Sequence, residues 1–195
     1  MSRSATQSRK TKETDVSVNL SLDGQGNTAP ATGIGFLDHM LDLLGGHAGF
    51  DLEVRAKGDT HVDAHHTVED VGICLGKALA AALGDKRGVR RFGHASVPMD
   101  EALAEVSLDL SGRPFLVFNA AFPTEKTGAF DAQLVEEFLR ALAVNAALTL
   151  HVRVPYGRDT HHIAEAIFKA LARALRQAVS LDPREAGVPS TKGTL

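Results

Sequence analysis

A seven-residue block occurs twice in this chain, and the repetition constrains the fold more than any other feature. Asp63-Ala64-His65-His66-Thr67-Val68-Glu69 returns as Asp159-Thr160-His161-His162-Ile163-Ala164-Glu165, 96 positions later. Each copy runs into an Ala/Leu-rich helical stretch carrying one lysine, Lys77 or Lys169. The preceding segments repeat as well. Phe50 to Arg55 and Leu148 to Arg153 alternate with period two and predict strands. Leu37, Met40, Leu41 and Leu44 form an i, i+3, i+4, i+7 stripe, as do Val135, Phe138, Leu139 and Leu142, so each strand is preceded by a helix. Further upstream, Val16, Val18, Leu20 and Leu22 alternate, and so do Ala104, Val106, Leu108 and Leu110. Phe115 to Phe118 is another strand candidate, with Thr28 to Thr32 as its weaker counterpart.

Each half therefore predicts strand, strand, helix, strand, helix. The expected layout is a flexible N-terminal tail over 1–11, a first half over 12–84, a linker over 85–90, a second half over 91–180 and an irregular C-terminal tail over 181–195. Strands and helices in this order predict an α+β two-layer sandwich, with sheet on one side and helices on the other.

Composition removes several classes of function. A net charge of −3 gives no electrostatic footprint for nucleic acid or an anionic membrane. With 5% aromatic residues and no Trp, a base-stacking surface is not expected. No apolar run reaches the roughly 20 residues of a membrane span, and the polar, basic N-terminus lacks a secretory h-region. The one cysteine, Cys74, predicts a buried small side chain and fits a reducing cytoplasm.

The repeated block carries the chemistry. At about 100° per residue, His65 and Glu69 share one helix face, one turn apart, and His66 points away from them. The same holds for His161 with Glu165, and for His162. If both imidazoles of each pair bind metal, each helix serves two ions. One ion would take His65, Glu69 and His162, and the other His161, Glu165 and His66. The facing helices offer His39 and Glu137 as fourth ligands. Buried ionisable side chains need partners, and clusters of this kind point to metal. Mixed nitrogen and oxygen donors admit manganese, iron, zinc or nickel. The zincin pattern His-Glu-x-x-His is absent.

Longer blocks carry a family resemblance. Gly35-Phe36-Leu37-Asp38-His39-Met40-Leu41, His65-His66-Thr67-Val68-Glu69-Asp70 and His161-His162-Ile163-Ala164-Glu165-Ala166-Ile167-Phe168-Lys169-Ala170 resemble the signature blocks of the imidazoleglycerol-phosphate dehydratases. Arg9 to Thr14, Val97-Pro98-Met99-Asp100-Glu101-Ala102-Leu103 and Pro189-Ser190-Thr191-Lys192-Gly193 fit the same family. The resemblance implies a ribosomal protein S5 domain 2-like fold and a hydro-lyase of L-histidine biosynthesis. Its reaction converts D-erythro-imidazole glycerol phosphate to imidazole acetol phosphate through an imidazolate or diazafulvene-like intermediate. It also implies two manganese ions per active site and a cytoplasmic 24-mer built from trimers, with sites between subunits. One ion would be held by His39, His66, His161 and Glu165, and the other by His65, Glu69, His162 and Glu137. The family usually has His where this chain has Glu137, so that side chain either ligates through oxygen or leaves the position to water. By the same resemblance Glu13 transfers the proton, Arg91, Arg113, Ser190 and Lys192 bind phosphate, His47 contacts substrate, and the C-terminal tail contributes to the active site. Two rival readings of the ligand set are a different dinuclear-metal enzyme, such as a hydrolase, and a metal-storage shell protein.

Overall fold

The computed structural model describes residues 3–193 and 195. The first half runs β1 (Ser4–Lys10), β2 (Thr14–Ser21), β3 (Thr28–Ala31), α1 (Gly35–Ala48), β4 (Asp51–Gly58) and α2 (His65–Leu83). The second runs β5 (Phe92–Met99), β6 (Ala102–Asp109), β7 (Phe115–Asn119), a small hairpin of β8 (Lys126–Thr127) and β9 (Phe130–Asp131), α3 (Gln133–Asn145), β10 (Thr149–Tyr156) and α4 (Thr160–Val179). Each half builds one four-stranded sheet, ordered β1-β2-β4-β3 and β5-β6-β10-β7. In both sheets the strand after the first helix of the half, β4 or β10, pairs antiparallel on one side and parallel on the other. The fold is α+β, as the alternating pattern predicts.

Each sheet contains one strand more than the apolar periodicity announces, and the second half adds the small β8–β9 hairpin. Residues 4–10 are not a tail: Ser-Ala-Thr-Gln-Ser-Arg-Lys pairs antiparallel with β2 along its whole length, from Ser4 opposite Ser21 to Lys10 opposite Asp15. This strand has hardly any apolar face to reveal it. Its order comes from β2, whose free backbone edge needs donors and acceptors, and from packing on α2. Its counterpart β5 turns Gly93, Ala95, Val97 and Met99 inward, a face too small to read as hydrophobic alternation. At Gly93 a Cβ would lie 2.0 Å from the Ala174 carbonyl oxygen, so the backbone of α4 rests directly on the strand.

The helices of each half cover its own sheet, and the halves join helix to helix: α2 packs on α3, and α1 on α4. Gly72 and Gly76, one turn apart on α2, permit the first contact. A Cβ at Gly72 would sit 2.8 Å from Ala141 Cβ, and one at Gly76 would sit 2.8 Å from both Asn145 Cβ and the Leu142 carbonyl oxygen. Phe138 and Phe168 meet at the centre with ring centroids 5.3 Å apart, fully buried with Leu37, Met40, Leu139 and Leu150. Gly49 closes α1 in the left-handed conformation (φ 74°), and Phe50 N–H returns to the Gly45 carbonyl at 3.0 Å. Among the described residues, the chain beyond α4 is irregular apart from an isolated bridge of Leu181 to Val89. Among the described residues no helix is long and apolar enough to cross a membrane.

Candidate active site

Both His-His-x-x-Glu blocks open a helix, and the aspartate of each block accepts a backbone N–H at its start. Asp159 caps α4, accepting from the backbone N–H groups of His161 (2.7 Å) and His162 (3.2 Å). Asp63 accepts from the His65 N–H at 2.8 Å at the start of α2. On each helix the two imidazoles diverge, with rings nearly perpendicular: 87° for His65 and His66, and 85° for His161 and His162.

The packing of α1 on α4 assembles one ligand group. His39 Nε2 lies 2.8 Å from Glu165 Oε1, and His161 Nε2 lies 3.1 Å from the same oxygen. These three side chains place ligand atoms within 4.8 Å of one another, the one such group of three or more among the described residues. Two imidazole nitrogens and a carboxylate oxygen converging on one point suit a divalent cation of intermediate softness, so the donor set fits a metal. Lys169, one turn beyond Glu165, donates to Oε2 at 2.6 Å. Burial alone would push the Glu165 carboxyl up, but hydrogen bonds from Lys169, His39 and His161 outweigh it and hold it at about 2. The carboxylate is thus charged and ready to ligate. Phe36 packs edge-on against the His161 ring at 5.1 Å. A cavity of about 770 Å³ opens beside it, lined by Phe36, His39, Val62, Gly128, Phe130 and His161 among others. Farther along α1, His47 is lowered by burial and then by the Lys169 and Arg173 cations.

The related pair α2 and α3 carries the related residues. His65 and Glu137 line a common cavity of about 320 Å³ with Gln133, Glu136 and Arg140, and Glu69 lies half-buried one turn after His65. The second imidazoles join neither group within the chain. His66 Nδ1 faces Asp59 at 3.1 Å, and His162 Nδ1 faces Glu101 at 2.7 Å. These hydrogen bonds raise both imidazoles above their ordinary value. The structure therefore brings together three of the four ligands expected for one ion and leaves His66 out. Because the helix partner of α2 is α3 and that of α4 is α1, no exchange of ligands between the two motif helices is made inside one chain.

Glu13 sits exposed at the β1–β2 turn, its Oε2 4.0 Å from His66 Nδ1. The residues singled out for phosphate also gather. Arg91, at a positive φ of 70°, grips Asp109 through two nitrogens at 2.7 and 3.0 Å and donates to the Pro189 carbonyl at 2.9 Å. Arg113 reaches the same aspartate at 3.6 Å and is mostly exposed. Ser190 follows Pro189, and its Oγ accepts the Lys192 N–H at 3.2 Å. Within the chain Arg91 is committed to Asp109, while Arg113 keeps its guanidinium open.

Sequence reasoning missed Lys169, Asp59 and Glu101. Lys169 was legible, since a glutamate four residues before a lysine pairs on a helix. Glu101 lies 61 residues from His162, and nothing local joins them.

A sequence model of the family described as imidazoleglycerol-phosphate dehydratase matches residues 32–175. An imidazoleglycerol-phosphate dehydratase of Methylobacterium radiotolerans is 62% identical, covering 99% of this chain and all of the relative. One of Geobacillus kaustophilus is 58% identical over the full length of both. The crystal structure of the Staphylococcus aureus enzyme superposes with a TM-score of 0.81 at 43% identity, covering 91% of this chain and all of that one. That of the Pyrococcus furiosus enzyme in complex with (S)-C348 gives 0.84 at 37%, covering 96% and 99%. With this agreement of sequence and fold, the chain belongs to the imidazoleglycerol-phosphate dehydratase family.

Proposed function

We propose that this chain dehydrates D-erythro-imidazole glycerol phosphate to imidazole acetol phosphate, in the histidine-biosynthetic role its family carries, at a site holding two divalent metal ions. The convergence of His39, His161 and Glu165, with Glu165 kept anionic by Lys169, is the observation that carries the proposal. One ion would be held by His39, His161 and Glu165 with His66, and the other by His65, Glu69 and Glu137 with His162. His66 and His162 diverge from the first histidine of their own pair, so they are the ligands suited to reach a neighbouring subunit. A homo-oligomer, taken as a 24-mer of trimers from the family, supplies that neighbour. Manganese is the expected metal and the cytoplasm the expected compartment.

The bound ions would supply Lewis acidity and fix the reacting fragment. Proton movement falls to the chain. Glu13, exposed and 4.0 Å from His66 Nδ1, would take the carbon-bound proton and return it to a leaving hydroxyl or product carbon. Loss of water across the two carbinol carbons leaves an enol, which tautomerises to the ketone. Arg113, Lys192 and Ser190 would hold the phosphate, with Arg91 fixing the segment that carries Ser190. His47 would contact the substrate from the end of α1.

Incubating the purified protein with imidazole glycerol phosphate and manganese tests this reading, and absence of ketone product would refute it. Glu13→Gln separates catalysis from metal storage: turnover should fall at least ~100-fold with metal content intact. A storage protein would show no change in any property.

A further inference from the structure

The strand register makes two glutamates twins. In the first half Lys10 faces Asp15, and Thr11 N–H binds the Thr14 carbonyl at 2.9 Å, leaving Lys12 and Glu13 at the hairpin tip. In the second half Met99 faces Ala102, leaving Asp100 and Glu101 at the tip. Each residue of the second hairpin thus stands 88 positions after its counterpart in the first, and Glu101 occupies the place of Glu13. Both tips lie over the second histidine of their own half, but the two carboxylates are used differently. Glu13 is more than half exposed and stops 4.0 Å from His66. Glu101 is tied down, with Oε2 2.7 Å from His162 Nδ1 and Oε1 accepting the backbone N–H groups of Arg158 (3.0 Å) and Asp159 (2.8 Å).

The reason for the divergence lies just past the end of each central strand. Gly58 and Gly157 are equivalent, since each presses on the third residue of its motif, Thr67 and Ile163 respectively. Asp59 follows Gly58 and holds His66 Nδ1 at 3.1 Å. Arg158 follows Gly157 and offers no acceptor for His162. The first half therefore orients its imidazole from the strand end and leaves its hairpin glutamate unengaged, whereas the second half must orient its imidazole from the hairpin. We infer that Glu101 is a positioning residue that keeps the proton of His162 on Nδ1 and leaves Nε2 free to ligate, and that Asp59 does the same for His66. Carboxylates behind metal-bound imidazoles work in this way. The inference rests on the assignment of His162 as a ligand.

Glu101→Gln tests it with little change of shape. Two backbone donors face Oε1, so the amide oxygen settles there and the amide NH2 turns to His162 Nδ1. That nitrogen must then accept, and the ring proton moves to Nε2. The expected result is a reversed His162 tautomer in ¹⁵N-histidine spectra of the metal-free protein, and a ~10–100-fold loss of Mn²⁺ affinity at one ion by calorimetric titration. Glu101→Asp keeps an acceptor and should lose much less. Unchanged tautomer and affinity in Glu101→Gln, or equal losses in both variants, would overturn the inference. His162→Ala separates it from the ligand assignment. If His162→Ala binds Mn²⁺ like the parent, the assignment itself fails. If it loses Mn²⁺ while Glu101→Gln does not, only the positioning role falls.

Discussion

Replacing Lys169 with methionine should destabilise the metal-free protein in a manner that depends on pH. The substitution keeps an unbranched stem of similar length and removes the ammonium, which donates to Glu165 Oε2 at 2.6 Å and to Met99 Sδ at 3.1 Å. A carboxyl held at about 2 rather than 4.5 carries roughly 3 kcal/mol of preference for its charged form. Lys169 is the first of three donors responsible, and hydrogen bonds to charged groups are worth about 1.5–3 kcal/mol. With His39 and His161 still on Oε1, the expected loss is about 1–2 kcal/mol at pH 7. Glu165 is the depressed kind of group, so its contribution is complete above pH 4.5 and disappears as pH falls through about 2. The gap between parent and variant should therefore be full at pH 5 to 7 and close between pH 4.5 and 2. Urea unfolding at several pH values, at one protein concentration and with chelator present, measures it. A gap that is absent at pH 7, or unchanged at pH 2, would refute the argument that Lys169 acts through the charge of Glu165.

If His66 and His162 complete the proposed ions from a neighbour, chelation should both abolish turnover and loosen the assembly; sedimentation with and without manganese reads this, and an assembly indifferent to full metal removal would contradict it. Gly76→Ala should cost about 1–3 kcal/mol by overpacking α2 against the backbone of α3. Gly46→Ala, in α1 with nothing within 4 Å of the added methyl, should instead gain about 0.5–1 kcal/mol, and thermal melts compare the two. Glu137→His should retain activity if that position is a ligand site, and an assay showing complete loss would assign Glu137 another task.

The sequence by itself determined the duplication, the two motif helices, the core stripes and the divergence of the paired imidazoles. All of these follow from local periodicity and from the 100° turn of a helix, which a linear reading contains. It could not reveal β1 and β5, which owe their order to a neighbour's backbone edge rather than to an apolar face of their own. Nor could it say that α1 would lie on α4 and α2 on α3, which is what joins His39 to Glu165. Nor could it pair Glu101 with His162, or set Arg91 and Arg113 on one aspartate. Those choices are made by helix packing across glycines and by strand register, interactions between segments far apart in the chain, and no local pattern encodes which distant carboxylate will meet which ring.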